Sequence, residues 1–178
     1  MGGKLTFALL FGLQVFLFGP FGHAGTTYSG KVVSITDGDT LRILYQGGQL
    51  KIRLAEIDTP ERKQPWGTRA KQALSDKVFG QTVDVVEIDR DRYGRIVGRI
   101  YLGNRDINRE LVAEGHAWVY RKYMRAQSLL ADEAAARDAG IGLWSLPEAE
   151  RVPPWEWRRK YSTLRIQPAL AITCLAHA

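Results

Sequence analysis

The chain has 178 residues, a net charge of +6 and an isoelectric point near 9.6. That length suits one domain with a self-sufficient core, and the positive excess favours a polyanionic partner, either nucleic acid or a membrane surface. One cysteine, Cys174, excludes an internal disulfide; of the three histidines (His23, His116, His177) only His116 lies in the expected folded body, so a Cys/His zinc centre cannot be assembled. A histidine nuclease or a Ser-His-Asp hydrolase would rest on His116 alone, and His116 directly follows Gly115 at an expected helix end. It reads as a surface or packing histidine.

Residues 1–24 read as a secretory signal peptide. Lys4 precedes an apolar run from Leu5 to Phe18, then Gly19-Pro20, then Gly22-His23-Ala24 as a small-x-small cleavage site. The run falls short of the ~20 apolar residues that a spanning helix needs. Cleavage after Ala24 removes one lysine and no acid, which lowers the charge from +6 to +5. The mature protein is expected to be secreted or periplasmic.

Three β-rich segments follow: Lys31–Ile35, Thr40–Tyr45 and Leu50–Leu54, with turns at Asp37-Gly38 and Gly47-Gly48. They predict a three-stranded meander. Ala70, Leu74 and Val78 recur every four residues between Pro65 and Gly80 and predict a helix that stops at that glycine. Val83–Ile88 and Ile96–Leu102 read as two more strands around the turn Asp91-Arg92-Tyr93-Gly94. Asp106 can cap a helix that runs to Gly115, and an alanine-rich helix is expected from about Arg125 to Ala139. Periodicity supports an α+β domain.

The first turn and last strand of the meander carry the chemistry. Asp37-Gly38-Asp39-Thr40 and the segment from Arg53 to Glu61 offer five carboxylates, the Thr40 hydroxyl and an arginine. Pro60 biases Thr59 toward extended backbone and so relates the Asp58 side chain, the Thr59 carbonyl and the Glu61 side chain. Carboxylates with a carbonyl suit a hard cation, calcium better than zinc. The neighbouring arginine suits a phosphate oxygen pair. Each piece alone is more common as an ordinary turn or surface ion pair. Together with Asp89-Arg90-Asp91-Arg92-Tyr93-Gly94-Arg95 they form equipment for attacking a phosphodiester.

With DGDT at 37–40, IRLAEIDTPE at 52–61, DRYGR at 91–95 and Gly142-Leu143-Trp144-Ser145, the sequence resembles the staphylococcal-type nuclease (thermonuclease) family over roughly residues 28–145. The resemblance implies a five-stranded OB-fold-type β-barrel with about three α-helices. It implies a calcium-dependent endonuclease that cleaves DNA and RNA to 3′-phosphate and 5′-hydroxyl ends. In that scheme Asp39, Asp58 and the Thr59 carbonyl ligate Ca²⁺, and Asp37 and Thr40 support them. Glu61 serves the attacking water, and Arg53 and Arg95 clamp phosphate. Tyr93 and Tyr123 contact substrate, with single-stranded or unpaired regions preferred and the protein acting as a monomer. Two departures bear on substrate: Arg121 stands at the first of two family tyrosine positions, and the loop after Glu61 is short. A non-catalytic nucleic-acid-binding barrel is the alternative, and the retained acids disfavour it.

Pro153–Tyr161 holds Trp155, Trp157, Arg158, Arg159 and Lys160. The tryptophans read as pinning the C-terminus to the barrel, with the basic residues adding weak attraction for polyanions. The domain is thus expected over 25–161, with 162–178 as a disordered tail.

Overall fold

Alternating burial organises the strands of the computed structural model, which describes residues 26–166. The elements in order are β1 (Thr27–Ile35), β2 (Thr40–Tyr45), β3 (Gly48–Leu54), β4 (Ile57–Asp58), α1 (Gly67–Val78), β5 (Thr82–Arg90) and β6 (Ile96–Leu102). Then come β7 (Arg105–Asp106), α2 (Ile107–Ala113), β8 (Trp118–Val119), α3 (Ser128–Asp138) and α4 (Pro154–Ile166). Leu41 and Ile43 of β2, Ile52 and Leu54 of β3, Val83 and Val85 of β5, and Ile96 and Ile100 of β6 point to one face and are almost wholly buried. This is the period-two pattern of strands with one apolar side. Each such buried aliphatic side chain contributes about 1.5–3 kcal/mol.

The strands close on themselves. The hydrogen-bonded order β3-β2-β1-β5-β6 is joined at its ends by a parallel pairing of β3 with β6, with Ile52 opposite Ile96 and Leu54 opposite Gly98. β1 serves two neighbours: its N-terminal half pairs with β5, its C-terminal half with β2. A register shift between Val32 and Ser34 marks the irregularity there, and such bulges bend strands. At Gly98 a Cβ would lie 2.8 Å from both Val85 Cγ1 and the Val86 carbonyl oxygen, so only glycine lets β5 and β6 approach this closely. The product is a closed five-stranded barrel of OB type with four α-helices among the described residues. No helix among the described residues is long and apolar enough to cross a membrane.

α1 buries Ala70, Leu74 and Val78, the residues whose spacing predicts it, and α2 is capped by the Asp106 side chain, which accepts from the Arg109 amide. α3 begins at Ser128 rather than near Arg125, because the Arg125 and Ala126 amides donate instead to the Glu56 carboxylate. α4 is a fourth helix beside the about three expected. It also continues past Tyr161 to Ile166, so the stretch expected as a disordered tail from 162 begins inside a helix. Pro154 stands at its first position, where a missing N–H is harmless. Trp155 stacks on Tyr120 with ring centroids 5.3 Å apart and planes 2° from parallel, and it meets Trp118 edge-on. The expected signal peptide and residues 167–178, with Cys174, lie outside the described residues.

Candidate active site

Asp39 is placed by its own turn. The amides of Thr36 and Asp37 both donate to the Thr40 carbonyl, at 2.8 and 3.4 Å, and Asp37 Oδ1 accepts from the Asp39 amide at 3.2 Å. Gly38 lies against Thr59 and Ala70; a Cβ there would stand 2.7 Å from Thr59 Oγ1 and 2.9 Å from Ala70 Cβ. The turn can press onto the β4 segment only with glycine at this position. Asp39 Oδ1 then accepts from Thr40 Oγ1 at 3.0 Å and from Arg53 Nη1 at 2.8 Å, and Oδ2 from the Thr59 amide at 3.2 Å.

Asp58 is set by a two-residue ladder in which Ile57 faces Val119 and Asp58 faces Trp118. It has no exposed surface. Arg53 reaches it from β3, with Nη2 3.0 Å from Asp58 Oδ1, so one guanidinium forks between Asp39 and Asp58. Burial pushes the Asp39 carboxyl up to about 6, with Arg53 opposing and Asp37 adding to the rise. Burial likewise raises Asp58, and its hydrogen bond to Arg158 works against that rise. Burial disfavours the charge on Arg53, but the two aspartates outweigh it and hold Arg53 above its ordinary value. Two desolvated carboxylates share the Arg53 guanidinium, which offsets part of the cost of burying their charge.

Glu61 is half-exposed, and its backbone is held by Gln64, whose amide donates to the Glu61 carbonyl at 2.8 Å while Gln64 Oε1 accepts from the Glu61 amide at 3.1 Å. Arg95 stands on the β5–β6 turn. Asp91 Oδ1 accepts from the amides of Tyr93 and Arg95, and Asp91 Oδ2 accepts from Arg95 Nε at 2.5 Å. That grip holds the rear of the guanidinium fork. Asp37, Asp39, Arg53, Thr59, Glu61, Tyr93, Arg95 and Tyr123 all line one cavity of about 810 Å³. Asp58 and Thr40 do not belong to its lining; both are buried against Asp39 and Arg53.

Glu56, the remaining carboxylate of the two acidic segments, does other work. It adopts a left-handed conformation, φ 65°, and is 5% exposed. Its carboxylate binds Arg99 and accepts from the amides of Arg125 and Ala126. Burial opposes its charge, but these donors outweigh burial and hold the carboxyl below its usual range. Arg121, at the position where a family tyrosine is expected, turns to Glu133 at 2.8 Å, and Tyr120 lines the cavity instead. His116 packs against Trp66, which donates to its Nδ1 at 3.1 Å, and is not part of the acidic cavity.

One residue that sequence reasoning left as a weak surface charge enters the cluster. Arg158 of α4 places Nη2 2.7 Å from Asp58 Oδ2, and Nη1 2.8 Å from Glu61 Oε1 and 3.1 Å from Asp58 Oδ1. The Trp-Arg-Arg-Lys run was visible in the sequence, but its hundred-residue reach to Asp58 was not.

Among the described residues, no three His, Cys, Asp or Glu side chains are grouped so as to hold a metal by themselves. The Asp39–Asp58 pair, with the adjoining Thr59 main chain, fits a hard cation whose remaining ligands are waters. An OB-type barrel with buried acids and arginines on one cavity defines a protein furnished for phosphate chemistry on nucleic acid. The family model described as Staphylococcal nuclease homologue matches residues 51–146. The chain is 42% identical over 147 residues to a micrococcal nuclease of Shigella flexneri, covering 76% of this chain and 83% of that protein. It is also 42% identical to Protein ParB of Escherichia coli (76% and 82% covered) and 40% identical to an uncharacterized endonuclease of Haemophilus influenzae (73% and 72%). The chain belongs to the staphylococcal nuclease homologue family, a family of nucleases.

Proposed function

We propose that this protein is a calcium-dependent endonuclease, hydrolysing phosphodiester bonds of DNA and RNA to 3′-phosphate and 5′-hydroxyl ends. The observation that carries the reading is the Arg53-bridged pair Asp39–Asp58 beside a cavity that also holds Glu61 and Arg95. Asp39, Asp58 and the Thr59 carbonyl hold the cation, and Asp37 and Thr40 keep Asp39 oriented through its amide and Oδ1. When bound there, calcium would supply Lewis-acid stabilisation of the negative charge that develops on the phosphate oxygens. The Glu61 carboxylate takes a proton from the attacking water, the water oxygen forms a new bond to phosphorus, and the P–O5′ bond breaks, with O5′ taking a proton from solvent to leave as the 5′-hydroxyl. Arg95 presents its fork to the phosphate oxygens, with Arg53 as the second arginine of the cavity. Tyr93, 70% exposed, and Tyr123, 55% exposed, stand at the cavity where unpaired bases could stack, which favours single-stranded or unpaired DNA and RNA as substrates; the enzyme acts as a monomer.

A plasmid-nicking assay tests this reading. The wild type is expected to nick with calcium and to stop in a calcium chelator. Because a bidentate phosphate contact needs planar geometry as well as charge, Arg95→Lys is expected to lose most of its turnover. Full activity in chelator would remove calcium from the mechanism, and a near wild-type Arg95→Lys would reduce Arg95 to a support for its turn.

The Lys4, Leu5–Phe18 and Gly22-His23-Ala24 pattern supports export to the periplasm or beyond. Mass spectrometry of the exported protein is expected to find an N-terminus at or near Gly25; full-length chain recovered from membranes would overturn this.

A further inference from the structure

The contact between α4 and the acid pair is not explained by the nuclease reading. Arg158 lies beyond residues 51–146, where the family model matches, and the helix that carries it is tied down independently of the acids. Trp155 stacks on Tyr120, and Gln64 Nε2 donates to the Val152 carbonyl just before the helix. Trp155 and Arg158 are three residues apart, so they share a helix face, and the ring that anchors α4 also aims the arginine. The guanidinium engages both oxygens of Asp58 and one of Glu61, while Arg53 takes a second bond to Asp58 Oδ1. A cation bound directly to Asp58 needs a carboxylate oxygen that Arg158 now occupies, and it would set two like charges side by side. The Arg158 side chain is 41% exposed, so it has solvent to swing into.

We propose that Arg158 is an intramolecular stand-in for the metal: it neutralises Asp58 and Glu61 in the empty enzyme, and a divalent cation must displace it to bind. Metal loading then loosens the tip of α4 and hands Glu61 from an arginine partner to the attacking water. The proposal rests on the acid pair being the cation site, and its test separates the two ideas.

Calcium chloride is titrated calorimetrically, without nucleic acid and at physiological ionic strength, into the full mature wild type, Arg158→Gln and Arg159→Gln. The last makes the same charge change one residue along and reports the general effect of losing a positive charge. Arg158→Gln is expected to bind calcium about three- to tenfold more tightly than Arg159→Gln, as removal of one partly exposed ion-pair competitor implies. An affinity within twofold of that control, or weaker, overturns the proposal while leaving the calcium site intact. If neither the wild type nor Arg158→Gln binds calcium, both ideas fail; binding by Arg158→Gln alone supports the stand-in. Amide hydrogen exchange of the wild type supplies a readout that needs no variant. The α4 amides are expected to exchange faster with saturating calcium than in chelator, and greater protection with calcium overturns the displacement.

Discussion

Glu61→Gln is expected to lower the rate of phosphodiester hydrolysis about 10²–10⁴-fold, the usual loss when a general base is removed. Calcium affinity should change much less. The substitution keeps the size and hydrogen-bonding capacity of the side chain and removes its charge and basicity. Its backbone is held by Gln64 rather than by its own carboxylate, so the loop that carries it should keep its course. Asp39→Ala provides the contrast. That change removes a buried oxygen donor, so calcium binding should weaken first, with excess calcium restoring part of the rate. Calorimetric titration of both variants, beside rates at saturating calcium, separates the roles. Loss of calcium binding in Glu61→Gln equal to that in Asp39→Ala would make Glu61 a ligand and leave the water without its base.

The second large effect falls on stability. Arg53→Met is expected to destabilise the metal-free protein by about 3–5 kcal/mol, the usual result of removing one partner from a buried ion pair. Its side chain is 19% exposed, and its two amino groups bond Asp39 and Asp58, which are 5% and 0% exposed. Without the guanidinium, Asp39 keeps only Thr40 Oγ1 and the Thr59 amide, and Asp58 keeps Arg158. Saturating calcium should recover part of the loss, since a ligand that binds only the folded state stabilises it by mass action. Urea unfolding of the variant and wild type, with calcium and with chelator, measures both quantities. A loss below 1 kcal/mol in chelator would mean that the aspartates take up protons or water at little cost, and that Arg53 is not what holds them together.

The strands β2 and β6 were legible to the residue at their ends, because alternation is a local property and turn residues bound it on both sides. The face of α1 was legible too, because its buried residues recur at one helical spacing between Pro65 and Gly80, and so was the Asp106 cap of α2. The start of α3 was misplaced because Glu56, sixty-nine residues upstream of Arg125, takes the amides that a first helical turn would present. The whole of α4 was overlooked. Its tryptophans and prolines carry no apolar period, and it is held by the distant rings of Tyr120 and Trp118.

The chemistry divides along the same line. Asp37, Asp39, Thr40, Arg53, Asp58, Thr59 and Glu61 lie within two short segments, and a hairpin with Thr40 opposite Arg53 brings the segments together. Spacing and residue type alone could therefore nominate them. Which of the five acids meet at one point was a different matter. Side-chain direction depends on backbone dihedrals, and the positive φ of Glu56 turns that carboxylate toward Arg99 and the Arg125–Ala126 amides, while Asp39 and Asp58 meet at Arg53. By itself the sequence determined the strands, the acidic turn and the identity of the charged groups, since these follow from local propensity and pattern. Only the tertiary structure decided the parallel closure of β3 on β6, the sharing of Arg53 between two buried aspartates and the arrival of Arg158, because each joins groups whose separation along the chain leaves no local trace.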